Sequence, residues 1–355
     1  MVLRVAGGLT ELASGVDALY CSGRGVLADA FLWSLSRARE EAEITEREVP
    51  LSVGDAEFRV QGHGLGKYRY NLVHEHGVVG VSPSEKLPAL RIQPRAAFIH
   101  AVGAREAVDW FRQRLEPDCF GLRLTASRMD LHADWQGWDL QGEDRQRFVC
   151  RSEDLVTHEH GSLLSGFQFG HRKNKTISGR IYDKTRELRR SGADYWEEIW
   201  GRRFDPDLPV LRVEFEFGRQ GLSEFGVSSP EDAVDAAGGL WSYAAGEWLS
   251  LRTPTSDTTR SRWPVDPAWE RVRRAAVGDV GCGLERMYEG RRRGEGRMLV
   301  PFLVGYVVSY AAVFGLDSVE ESCSALVDVI RSSCVSRGLS FEKRVLARRR
   351  KMGLP

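Results

Sequence analysis

The sequence predicts an α+β fold in which an antiparallel β-sheet carries flanking helices and is followed by a mainly helical C-terminal domain. Three observations predict it. Residues 119–138 and 210–217 alternate polar and apolar side chains with the period of two that belongs to half-buried strands. Residues 166–182 read as a hairpin, Phe167 and Phe169 on one arm, a polar turn at 172–175, and Thr176 to Tyr182 as the return arm. Past Gly218 the spacing changes to that of amphipathic helices.

Composition bounds the rest. A chain of 355 residues, 42% of them hydrophobic, can bury two or three cores. Its formal net charge of zero excludes attraction to nucleic acid by global charge, so any such binding has to come from local patches. Six cysteines show neither a CxxC pair nor zinc spacing, and no segment reads as a signal peptide, which predicts reduced thiols and a cytoplasmic protein.

In chain order, residues 1–55 form a strand-and-helix cover. Its helix is expected over 26–48, with Ala28, Phe31, Leu32 and Leu35 at helical spacing. Residues 56–102 read as an antiparallel meander punctuated by Pro83, Pro88 and Pro94, with Gly62 to Lys67 a hairpin turn rather than a phosphate loop, because no helix follows it. Residues 104–115 form an amphipathic helix with Ala107, Val108, Phe111 and Leu115 on one face. A helix over 231–251 packs on the sheet. The Pro-, Ser- and Thr-rich stretch 252–267 is the linker, which leaves 56–252 as one domain and 268–355 as a small helical one. The uncharged run 299–316 is expected as the buried central helix of that last domain, since Pro301 and Gly315 suit its ends and it is short for a membrane span.

The chemistry-bearing side chains fall on the strands. Period two puts Asp130, His132 and Asp134 on one face of one strand and Arg212, Glu214 and Glu216 on one face of another. Tyr182 sits among Arg172, Lys173, Lys175, Arg180, Lys184 and Arg186, a cationic field that attracts phosphate and is expected to stabilise a phenolate. Antiparallel neighbours in one sheet bring these groups to a common face. Hard oxygen donors with at most one imidazole favour Mg²⁺ or Mn²⁺, and an ion there polarises a phosphate that a tyrosine attacks. A phosphotyrosine link conserves the phosphodiester, so the strand can be rejoined. His74-Glu75-His76 and His158-Glu159-His160 are poor zinc sites, each running into glycine at loop-like positions.

The blocks Ser127-Arg128-Met129-Asp130-Leu131-His132-Ala133-Asp134, Phe169-Gly170-His171-Arg172-Lys173-Asn174-Lys175, Arg180-Ile181-Tyr182-Asp183-Lys184-Thr185-Arg186-Glu187 and Leu211-Arg212-Val213-Glu214 resemble, in order and spacing, the initiators of rolling-circle plasmid replication. The similarity is to the replication initiation factor family of staphylococcal-plasmid type, distantly akin to HUH endonucleases, and spans residues 55–275. The resemblance implies a Rep nuclease-like fold and a metal-dependent enzyme that nicks and religates one strand of origin DNA. Tyr182 is then the nucleophile; Asp130 and Glu214 are the metal ligands, with His132, Glu216 and Asp183 as further candidates; Lys184 or Arg180 holds the phosphate. Arg172, Lys173, Lys175 and Arg186 bind DNA. Outside the matched span, the basic clusters at 291–293 and 343–351 are expected from their charge alone to contact origin DNA. The resemblance also implies a homodimer and a host helicase as partners, and no membrane. A regulator that binds DNA without cutting it, and a metal nuclease that uses water, remain as alternatives.

Overall fold

The computed structural model describes residues 8–160, 163–170, 176–193, 195–278, 304, 307–336 and 340–352. Two compact units divide the chain, Met1–Leu284 and Glu285–Pro355.

The first unit is built on an 11-stranded sheet in which every neighbouring pair is antiparallel. Two strands of 18 residues, β1 (Thr10–Leu27) and β7 (Cys119–Gln136), form its centre. From β1 the chain leaves through helix α1 (Asp29–Thr45) for one outer edge. It then returns in a meander through β2 (Val49–Val53), β3 (Ala56–Val60), β4 (Tyr70–His74), β5 (Gly77–Val81) and β6 (Leu90–Pro94), which pairs with β1. From β7 it takes the same route on the other side. After β8 (Phe148–Cys150) it returns through β9 (Leu155–His160), β10 (Leu163–Phe169), β11 (Ile177–Asp183) and β12 (Val210–Gly218), which pairs with β7.

One face of this sheet is apolar. Leu19, Cys21, Val79, Ile92, Met129, Leu131, Val213 and Phe215 are buried there with the side chains of α3 (Ala104–Leu115) and the tryptophans Trp241, Trp248 and Trp269. Full burial of each such side chain contributes roughly 1.5–3 kcal/mol, and this face fixes the register, since a one-residue slip would turn the set into water. The opposite face carries the polar residues. It is covered in part by α2 (Ala96–Val102), α4 (Lys184–Ser191) and α5 (Tyr195–Trp200), the last packed with Leu12, Leu188 and Val210 in a second, smaller apolar cluster.

Several boundaries differ from the sequence expectation, each for a packing reason. Residues 1–55 do not merely cover the sheet, because β1 is its central strand and runs on to Leu27 before the helix starts at Asp29. Residues 96–102, read as strand from their alternation, form α2 and bury Ile99. The helix expected over 231–251 is broken into α6 (Pro230–Asp235), capped by Ser229, then α7 (Ala237–Tyr243), a π-turn (Ala244–Trp248) and β13 (Leu249–Leu251), which pairs with β8. The stretch 252–267 is a strap on the first unit, not a linker. Beyond it Trp269 and Val272 are buried, and Trp269 Nε1 donates to the Ala245 carbonyl at 2.8 Å.

The second unit contains helices Val319–Ser336 and Phe341–Met352. Of the run expected as its buried centre, Val304, Val308, Val313 and Phe314 are exposed, and among the described residues both apolar clusters lie in the first unit. A short segment has little surface with which to bury such a helix. Among the described residues no helix is long and apolar enough to cross a membrane.

Candidate active site

Cross-strand register assembles the polar face. Between β7 and β12, Asp130 stands opposite Glu216, His132 opposite Glu214 and Asp134 opposite Arg212. Between β12 and β11, Arg212 stands opposite Tyr182 and Glu214 opposite Arg180. Directly opposed side chains on antiparallel strands lie within contact range, so three strands bring these groups together. Gly166 on β10 faces Tyr182, and a Cβ there would fall 2.4 Å from the Ile181 carbonyl oxygen, so the strands close around the tyrosine only because position 166 lacks a side chain.

The groups sort into two ionic lattices. In the first, Arg212 is wholly buried and gives Asp134 two hydrogen bonds of 2.7 and 2.8 Å. Its Nη1 lies 3.3 Å from Asp17 Oδ1, and its guanidinium stacks 3.9 Å from the Trp196 ring. Trp200 Nε1 donates to Asp134 at 2.8 Å. Both tryptophans come from α5, which buries Arg212 and Asp134, while Asp17 reaches the cleft at the edge of this lattice. Burial pushes the Asp17 and Asp134 carboxyls up, but Arg212 outweighs it with help from their other partners and holds both below the usual carboxylate range.

The second lattice opens on a cleft of about 1110 Å³, lined by Asp17, Asp130, Tyr182 and Glu214 and by the cations Arg95, Arg128, Arg180, Lys184, Arg186 and Arg190. Arg128 bonds Asp130, with one contact of 2.7 Å, and lies 3.0 Å from Glu216. Arg180 pairs with Glu214, and Tyr182 donates its hydroxyl proton to Glu214 Oε2 at 3.0 Å. Arg128 and Arg180 are each about a third exposed, so a ligand can reach them.

The phenol is not the acidified group the cationic run predicts. Burial and the Glu214 carboxylate raise its pKa well above 10, against the opposing pull of Arg212 and Arg180. Tyr182 therefore rests protonated, its proton already shared with a carboxylate placed to accept it. Burial likewise raises the Asp130 carboxyl; Glu214 and Glu216 add to the rise and Arg128 does not cancel it.

The other expected residues divide. Lys184 is 7% exposed, paired with Glu187 and 5.1 Å from the Trp196 ring, so it reaches the cleft wall but already has a carboxylate. Asp183 caps α4, its carboxylate accepting the Arg186 N–H at 3.0 Å, which takes it away from metal duty. Arg186 lines the cleft. Arg172, Lys173 and Lys175, like the cluster 291–293, lie outside the described residues.

His132 points to residues that alternation could not find. It is buried, both ring nitrogens lack a hydrogen-bond partner, and burial followed by Arg212 lowers its pKa to about 4. A neutral, buried imidazole with two orphaned nitrogens is suited to a ligand. Its donor atoms lie within 4.8 Å of those of Asp17 and His100, and His100 Nε2 is 3.1 Å from Asp17 Oδ1. Asp17 is the extra residue of a β-bulge between Val16 and Ala18, and bulges re-aim side chains at such sites. His100 rides on α2, the segment misread as strand. The residues present thus fit a divalent ion through the mixed set Asp17, His100 and His132. Asp130, Glu214 and Glu216, the carboxylates expected from the strands, form no such cluster, because Arg128 engages Asp130 and Glu216 and Arg180 engages Glu214.

His74, Glu75 and His76 also cluster, but His74 Nδ1 accepts the His76 N–H and both rings pack on Trp110.

No protein-family model matches the chain, and no curated protein matches it. Among solved structures, the chain is similar to one described as a rolling circle replication initiator protein from Geobacillus stearothermophilus. The two share 14% sequence identity and a TM-score of 0.43, with the match covering 78% of this chain and all of the other.

Proposed function

We propose that this chain is a rolling-circle replication initiator that nicks and rejoins one strand of origin DNA through Tyr182. The observation that carries the reading is the Tyr182 hydroxyl, 3.0 Å from a buried carboxylate, inside a cleft walled by arginines. In the reaction Glu214 takes the phenolic proton as the tyrosine oxygen bonds to phosphorus, and the 3′-oxygen leaves with the charge that Arg180 and Arg128 stabilise, then takes a proton from water to become the 3′-hydroxyl. Rejoining runs these steps backwards from a 3′-hydroxyl.

Mg²⁺ or Mn²⁺ belongs to the same reading. Asp17, His100 and His132 would hold it, the imidazoles favouring Mn²⁺, with Asp130 beside them across the bulge. Such an ion supplies Lewis-acid polarisation of the phosphate. A host helicase, a second copy of the chain and a plasmid of staphylococcal type are part of the proposal through the sequence resemblance alone.

The test is incubation with single-stranded origin DNA and Mn²⁺. A denaturation-resistant protein–DNA adduct that disappears in Tyr182→Phe supports the reading. Cleavage without adduct means a water nuclease, and binding without cleavage means a regulator. The ion is assigned separately by calorimetry, where His132→Ala is expected to abolish Mn²⁺ binding and Asp130→Asn to leave most of it.

A further inference from the structure

Beyond the cleft, the open face of the sheet continues along β1, β6 and β7 towards the far ends of the two long strands. There β7 outruns β12, which pairs only with 128–136, and β6 pairs only with 21–23, so residues 24–27 and 119–123 project as a two-stranded ribbon. At its root Arg24 stands directly opposite Arg123, and Ser22, one pair inward, is flanked by Arg91 on β6 and Thr125 on β7. Like charges in direct opposition destabilise a strand pair. Among the described residues no carboxylate pairs with Arg24, Arg91 or Arg123, and segments 20–24, 91–93 and 123–128 contain no acidic residue.

Arg91 is instead oriented by Gln93, whose amide oxygen, in the orientation that satisfies both groups, accepts from the guanidinium at 2.8 and 2.9 Å. Gln93 in turn lines the cleft with Tyr20, whose ring carries the Arg128 guanidinium at 5.2 Å. Cations and an aromatic ring therefore follow one another without interruption from the cleft to the ribbon. From Asp130 to Arg123 the path is about 20 Å at the rise of a strand. It ends beside Phe120, an aromatic side chain left 61% exposed.

We propose that this strip is a track for the unpaired DNA strand, holding the nucleotides next to those at Tyr182 by backbone contacts to Arg24, Arg91 and Arg123. The inference rests on the function proposed above for the cleft and extends it to residues outside the four sequence blocks. A single strand fits better than a duplex because interleaved cations and rings stack on unpaired bases without reading their sequence. The clash between Arg24 and Arg123 is then relieved by the phosphates that lie between them.

The experiment uses the full chain in a Tyr182→Phe background and a fluorescein-labelled oligothymidylate, with affinity measured by anisotropy over a salt series. The slope of log affinity against log salt is expected to fall by roughly 0.7 for each of Arg24→Ser, Arg91→Ser and Arg123→Ser. Thermal unfolding of Arg24→Ser and Arg123→Ser should occur no lower than in the parent, since each removes one of two opposed like charges. With Tyr182 restored, the triple variant should still form the adduct on a strand too short to leave the cleft. An unchanged slope overturns the track. So does tighter binding to duplex with the same arginine dependence, or equal binding to polyglutamate, which would make the strip a site for any polyanion. Failure of the parent chain to form an adduct overturns the nicking reading alone, because the slope is measured without cleavage.

Discussion

The two ionic lattices on the polar face use the same chemistry, arginine against carboxylate on adjacent strands, and differ only in cover. Around Arg212 the tryptophans of α5 bury the guanidinium and Asp134, whose carboxylate accepts from both Arg212 and Trp200. Around Arg128 and Arg180 the same kind of bond faces a cleft. A buried ion pair contributes little net stability but is expensive to break, whereas a pair at a cleft wall can exchange its carboxylate for a ligand phosphate. The comparison teaches that the buried lattice holds the strands in register and the open one is free to bind.

The largest effect that would test this is expected from Arg212→Met. It leaves Asp17 and Asp134 buried without their cation and should destabilise the fold by about 3–5 kcal/mol, measured by urea unfolding. Arg180→Met should lower stability by only about 1–2 kcal/mol, the scale for a buried acceptor left short of a partner, while eliminating adduct formation. Equal losses from the two would end the distinction.

Acid should separate the lattices as well. The Asp17 and Asp134 carboxyls are held below their ordinary value of 3.8 in the folded chain, so they contribute stability above that value, and it is lost as pH falls beneath it. The raised Asp130 carboxyl works the other way, favouring the folded state as it takes up a proton. Acid unfolding followed by circular dichroism should therefore become steeper below the ordinary carboxylate pKa, and less steep in Asp134→Asn.

Tyr182→Phe should change stability by no more than about 1 kcal/mol, the net worth of one hydrogen bond, with complete loss of the adduct. The smallest effect concerns the join between the two regions. Asp183→Ala removes the cap of α4 and should cost about 1 kcal/mol, with cleavage reduced but present, because α4 carries Arg186 and Arg190 along the cleft.

Much of this face was legible from alternation alone. Residues 127–134 and 210–217 are strands with their charged side chains together, and Tyr182 does lie on a strand with its hydroxyl towards a carboxylate. Periodicity could not show that the charged face is largely buried, because what buries it, Trp196 and Trp200, is brought there by a short helix distant from β7 in sequence. Asp17 was invisible because a bulge breaks the period that would have revealed it, and His100 because a half-turned alternation in 96–102 imitates a strand. The acidity of Tyr182 was misjudged for a related reason. Neighbours in sequence supplied the cations, but burial and a carboxylate from β12 decide the proton.

The central position of β1 also governs how the molecule can be made. Thr10 pairs with Gln136 and Leu27 with Cys119, so each rung of the central ladder closes a loop of roughly a hundred residues. On a ribosome, β1 emerges first and waits with one long edge bare until β7 has been synthesised, and β7 waits in turn for β12. A sheet closed in this order should fold slowly and pass through a stage in which an 18-residue strand edge is open to pairing with another chain. Slow translation between residues 27 and 119 should prolong that stage and lower the yield of native protein.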